Sequence, residues 1–174
     1  LHRVLMKDAP GYNERVFKRR ITNDTLDTAV SLLVDFSGSM GGSKVATAIH
    51  SSLLLQQALA QSLRIPLEVI GFSDSGPSSI MMVFKTFDKP VSIEGLQERM
   101  LKGTAYMRSN ADGEAINWTH NRLVQRKEKR KVMIVLSDGS PACSRSGDID
   151  AYTKNVVKAI EAGHRSEIVG IGIE

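Results

Sequence analysis

The sequence predicts an α/β fold of three layers, with a mostly parallel sheet, helices on both faces and one antiparallel strand at the edge. Short apolar runs of strand length alternate with longer stretches of helical periodicity, the pattern of strand–helix–strand units. The apolar runs at 30–34 and 131–135 are continuous rather than alternating, as in strands buried on both faces. Turn residues at 73–79 separate two further runs by too little chain for a crossover, so that pair returns as an antiparallel hairpin.

Residues 1–29 are polar and weakly periodic and read as a lead-in segment packing on a domain that occupies 30–174. The first strand is expected over 32–36. Ser43 is placed to cap a helix running from Lys44 to about Leu63, with Val45, Ala48, Ile49, Leu53, Ala60 and Leu63 on one stripe. Pro66 ends that connection, a strand follows over 67–72, and the edge strand covers 80–84. A short helix over 91–101 and a loop over 102–111 lead to a helix from Asp112 or Gly113 to Leu123. A strand over 131–136, a helix over 149–162 and a strand over 167–173 complete the order. Trp118 and Met133 are expected in the core.

Composition narrows the class. With 41% hydrophobic and 24% charged residues the 174-residue chain is an ordinary globular domain. One cysteine, Cys143, excludes an internal disulfide framework, and with no secretory leader the chain reads as cytoplasmic. No apolar stretch approaches the roughly 20 residues a membrane span needs. The net charge of +4 raises nucleic-acid binding, but the basic runs at 18–20 and 126–131 carry no interleaved aromatic residues and no recognition motif. They read as solvated loops.

The chemistry lies where the apolar runs end. Asp35, Ser37 and Ser39 follow the first run at alternate positions, which puts three oxygens on one side of a turn eased by Gly38. Asp138 follows the run at 131–135 and is succeeded by Gly139. Oxygen donors without nitrogen or sulfur select a hard dication, Mg²⁺ first, with Mn²⁺ or Ca²⁺ as alternatives. Open parallel sheets bind ligands at the carboxyl ends of their strands, where both acidic loops are expected. Competing motifs fail. A phosphate-binding G-x-x-x-x-G-K-[ST] loop would need Gly where Ser43 stands and Ser or Thr where Val45 stands. No G-x-S-x-G elbow is present. His2, His50, His120 and His164 lack metal-ligand spacing, and Cys143 has no nearby His or Cys.

Asp35-x-Ser37-x-Ser39 with the distant Asp138-Gly139 resembles the metal-ion-dependent adhesion site of von Willebrand factor type A domains. Over about 16–173 the chain resembles more closely the C-terminal domain of the CobT subunit of aerobic cobaltochelatase. Val16–Arg19, Thr28–Asp35, Leu67–Phe72, Ile134–Pro141 and, most discriminating, Asp112–Leu123 carry this likeness. The resemblance implies a three-layer Rossmann-like type A domain without catalytic activity of its own. It would be a cytosolic interaction module, partnered by an AAA+ ATPase subunit and a large subunit that inserts cobalt during cobalamin synthesis. It also implies an acidic region ahead of the domain and a final helix behind strand 167–173, neither of which lies in this sequence. A generic scaffold or adhesion module unrelated to cobalamin is the alternative. A Mg²⁺-dependent phosphoryl-transfer enzyme is a third reading, for which the sequence offers no clear Arg or Lys beside the carboxylates.

Adhesion-site domains carry a Thr in the middle loop, ahead of a helix. Here the matching position is Asp112, with Thr104 a rival too far upstream and Asn110 or Glu114 as further ligands. The expected set is therefore Asp35, Ser37, Ser39, Asp112 and Asp138. Three carboxylates around one dication leave one negative charge in excess. That excess predicts firm cation binding and reluctance to accept an outside carboxylate.

Overall fold

The computed structural model describes residues 27–76, 78–139 and 148–174. Its first strand, β1 (Thr28–Asp35), is buried at every position. Val30, Leu32 and Val34 enter one apolar cluster, while Ala29 and Leu33 enter a second. The two-residue period of a strand sends neighbours to opposite faces, so a strand covered on both sides is apolar throughout.

Around β1 lie β2 (Leu67–Asp74), β3 (Ser79–Lys85), β4 (Arg130–Ser137) and β5 (Glu167–Gly172), in the order β3-β2-β1-β4-β5. All neighbours pair in parallel except β3, which returns antiparallel to β2 at the edge. Helices α1 (Ser43–Leu55) and α2 (Ile93–Gly103) cover the first cluster through Ala48, Ile49, Leu96 and Met100. Helices α3 (Asp112–Leu123) and α4 (Ile149–Ala162) cover the second through Ala115, Ile116, Leu123 and Ile160. The expected three layers and the antiparallel edge strand are both present.

Close packing fixes the first face. A Cβ on Gly71 of β2 would lie 2.6 Å from the Phe84 ring and 2.9 Å from Phe36. The two rings stand 5.3 Å apart, tilted on each other. Only a residue without a side chain leaves room for that pair.

Several boundaries differ from the sequence reading. β1 starts at Thr28 and ends at Asp35, because Thr28 and Ala29 already pair with Arg130 and Lys131. Residues 1–26 lie outside the described residues. Ser43 does not cap α1. Gly42 holds that position at φ +75, a conformation glycine adopts without strain, so the cap residue supplies no side-chain bond. Past Leu55 the helix widens into π-type turns through Ser62, tied by Gln56 Nε2 donating to Val91 O at 2.7 Å. Ser92, whose Oγ accepts from Gly95 N, starts α2 two residues later than expected. Met133 is fully buried, but Trp118 is 37% exposed, with Arg122 lying 4.9 Å from its ring centre. The indole therefore serves as a platform for a cation and is not in the core. Among the described residues no helix is long and apolar enough to cross a membrane.

Candidate metal centre

Pairing of Val34 with Leu136 sets the ends of β1 and β4 side by side, so that Asp35 and Ser137 become neighbours. In the strand order, β1 connects onward to β2 on one side and lies against β4 on the other. This reversal opens a crevice at the carboxyl ends of the strands. Asp35 is fully buried there. Its Oδ1 accepts the Ser37 backbone N–H at 2.7 Å, and its Oδ2 accepts the Ser137 hydroxyl at 2.9 Å. The Ser37 and Ser39 hydroxyls lie 2.9 Å apart, as the alternation requires.

The middle loop reaches this rim because the backbone is stitched to two strands. Gly38 N donates to Arg108 O at 2.5 Å, and Asp74 and Ser109 exchange backbone hydrogen bonds at 2.7 and 3.2 Å. The Ser73 hydroxyl accepts from Arg108 N and donates to Ser109 O. Asn110, fully buried, then extends its Nδ2 toward Asp35 Oδ2 at 3.5 Å and Asp112 Oδ2 at 3.4 Å, two long, weak bonds. Asp112 opens α3 and is 7% exposed. It does not cap the helix, since Ala111 holds that position without a side-chain bond. The other carboxylate oxygen, Asp112 Oδ1, is buried with no hydrogen-bond partner among the described residues. Such a group is costly to leave unsatisfied.

Electrostatics follow from this crowding. Burial chiefly raises the Asp35 carboxyl above its ordinary range, with the Asp138 charge adding to it, while bonds from Ser37 and Ser137 oppose the rise. Asp112 is pushed up to about 7, first by burial and then by the charges of Asp35, Asp138, Asp150 and Glu114. These carboxyls repel one another, and a nearby positive charge would relieve both.

Asp138 sits one residue past β4 on a turn completed by Gly139 at φ +76. Its Oδ2 lies 3.2 Å from Lys44 Nζ. The expectation of no lysine beside the carboxylates is thereby corrected, since the second residue of α1 reaches the rim. Two contributors were missed. Ser137 ends β4 as Asp35 ends β1, and its position in the acidic loop was the available signal. Lys44 could have been noticed as a cation in the first turn of a helix, against the helix dipole. Thr104 ends α2 and donates to Leu101 O at 2.7 Å. His50 is exposed on α1, and His120 Nδ1 lies 2.8 Å from Ser166 Oγ, just ahead of β5 at the opposite rim. Cys143, Ser140 and Pro141 lie outside the described residues.

Among the described residues no group of three His, Cys, Asp or Glu side chains is gathered to hold an ion by itself. The Ser37 and Ser39 hydroxyls, 2.9 Å apart on the same rim, are further oxygen donors that would add to a shell there. The donor set nonetheless fits a hard dication, because the candidate donor atoms are oxygens and Asp112 Oδ1 is buried without a partner among the described residues.

Residues 16–89 and 81–174 match the family described as the cobalamin biosynthesis protein CobT VWA domain. The chain belongs to that family. It is also 28% identical, over 173 residues, to the uncharacterized protein YojO of Bacillus subtilis, covering 94% of this chain but 26% of YojO. The CobT-type domain thus spans about a quarter of that relative. Solved structures share its fold. The PilB minor pilin of Streptococcus sanguinis superposes with a TM-score of 0.63 at 14% identity, over 86% of this chain and 50% of the pilin. A von Willebrand factor type A protein from Catenulispora acidiphila gives 0.56 at 16% identity, over 83% of this chain and 33% of that one. The aerotolerance-related membrane protein of Bacteroides fragilis gives 0.60 at 15%, over 84% of this chain and 67% of its own.

Proposed function

We propose that this domain is a divalent-cation-dependent interaction module of a CobT-like subunit, working in the cytosol with an AAA+ ATPase to drive cobalt insertion by a separate large subunit. The single observation that carries the cation site is the Oδ1 of Asp112, buried without a partner among the described residues at the rim shared with Asp35. Membership of the CobT VWA family supports the chelatase setting.

Asp35, Ser37, Ser39, Asp112 and Asp138 would hold Mg²⁺, Mn²⁺ or Ca²⁺. When bound, the ion supplies positive charge that offsets carboxylate repulsion and a position open to an outside oxygen ligand. The chain's own part is positional. Ser137 and Ser37 orient the Asp35 carboxylate, Asn110 spaces Asp35 from Asp112, and the bonds from Gly38, Ser73 and Asp74 hold the middle loop against both strands. Metal insertion and nucleotide hydrolysis are assigned to the partners, in keeping with membership of the CobT VWA family.

Calorimetric titration with MgCl₂, followed by capture from a native lysate in Mg²⁺ or EDTA, tests the proposal. Binding with loss on Asp35→Ala, and an AAA+ ATPase retained only with Mg²⁺, are expected. No heat with Mg²⁺, Mn²⁺ or Ca²⁺ would remove the cation site. Cation binding without the ATPase would favour the generic scaffold. Mg²⁺-dependent release of phosphate from a chromogenic phosphomonoester would instead favour the enzyme reading.

A further inference from the structure

Lys44 is the second residue of α1, in a first turn that contains no acidic residue. A cation there opposes the helix dipole, whose positive end lies at the N-terminus. A residue that breaks a local rule calls for a compensating tertiary contact. That contact is Asp138, whose side chain is only 4% exposed and whose Oδ2 lies 3.2 Å from the ammonium, 94 positions away in sequence. Lys44 itself is one-third exposed, so it can move without exposing the core.

We propose that Lys44 is the built-in counter-charge of this rim, holding cation affinity down and setting the valence that the site prefers. The inference rests on reading the rim as a cation site, and it deepens that reading. Three carboxylates exceed a dication by one negative charge, and Lys44 cancels that excess. Lys44 therefore lessens the reluctance toward an outside carboxylate expected from the acidic residues alone, while Asp150 and Glu114 keep further negative charge near Asp112. The same ammonium repels the incoming ion and competes with it for Asp138. Repulsion scales with the charge of the ion, so it penalises a trivalent ion more than a divalent one. A lysine that merely braced the loop would affect both ions alike.

The test compares the whole chain with Lys44→Met and Lys44→Arg, titrating MgCl₂ by calorimetry and TbCl₃ by sensitised luminescence. Lys44→Met is expected to bind Mg²⁺ roughly tenfold more tightly and to gain by a larger factor for Tb³⁺. Lys44→Arg, which keeps the charge, should stay near the wild type. Should the Met variant fold poorly by circular dichroism, Lys44→Gln provides the same neutralisation. Equal or weaker Mg²⁺ binding in a folded neutral variant overturns the role of Lys44 while leaving the site intact. A wild type that binds neither ion overturns the site reading, and this inference with it.

Discussion

The Ser137 hydroxyl donates to Asp35 Oδ2 at 2.9 Å, joining the ends of neighbouring parallel strands 102 positions apart in sequence. The Ser137 Oγ in turn accepts the Gly139 N–H at 3.1 Å. One side chain thus orients the buried carboxylate of the first loop and the turn that carries Asp138. Ser137→Ala should cost about 1–3 kcal/mol, because among the described residues the carboxylate oxygen keeps only the long Asn110 contact. Mg²⁺ affinity should fall several-fold as well. Urea denaturation and calorimetry measure the two effects, and no change in either would make the Ser137 bond incidental.

Asp112 gives the metal-free domain a distinctive pH dependence. Its carboxyl is raised from an ordinary value of 3.8 to about 7 in the fold. Between those values the folded chain holds a proton that the unfolded chain releases. The contribution is therefore complete below about pH 4 and lost as pH rises through 7. In EDTA the melting temperature of wild type relative to Asp112→Asn should fall between pH 5 and pH 8, and saturating Mg²⁺ should remove the fall. A wild-type profile parallel to that of the Asn variant at every pH would contradict the arrangement.

Gly71→Ala tests the packing under α2. Alanine has the better strand propensity, yet its Cβ would collide with the buried Phe84 and Phe36 rings. A loss of about 1–3 kcal/mol is expected in denaturant, and Phe84→Leu in the same chain should recover part of it. A neutral Gly71→Ala would show that the rings can part freely.

At the opposite rim, Glu68 of β2 is fully buried and accepts from Arg122 through both carboxylate oxygens. Arg122→Met would strand that charge, leaving Lys85 as a weaker source of compensation. The expected cost is about 2 kcal/mol, below that of a fully buried pair because the arginine is partly exposed. The double variant with Glu68→Gln should lose less than the sum of the single losses. Additive losses in thermal unfolding would rule out the coupling.

The fold was legible because its signals are local. Continuous apolar runs at β1 and β4, the helical stripe of α1 and the short turn before β3 each follow from burial and backbone period. The acidic ends of two strands were equally readable, as was the likeness to CobT that the family match bears out. Strand ends and caps were less so, since Gly42 and Ala111 start helices without a side-chain bond that a pattern could reveal.

By itself, the sequence determined the strand–helix order, the burial of β1 on both faces and the placing of carboxylates just beyond apolar strands. Tertiary structure alone decided which side chains meet. It set Ser137 against Asp35 through strand register, left Asp112 Oδ1 buried without a partner among the described residues, and carried Lys44 to Asp138. The physical reason is range. Propensity and periodicity act over a few residues, whereas register and long-range charge pairing exist only once distant segments share one rim.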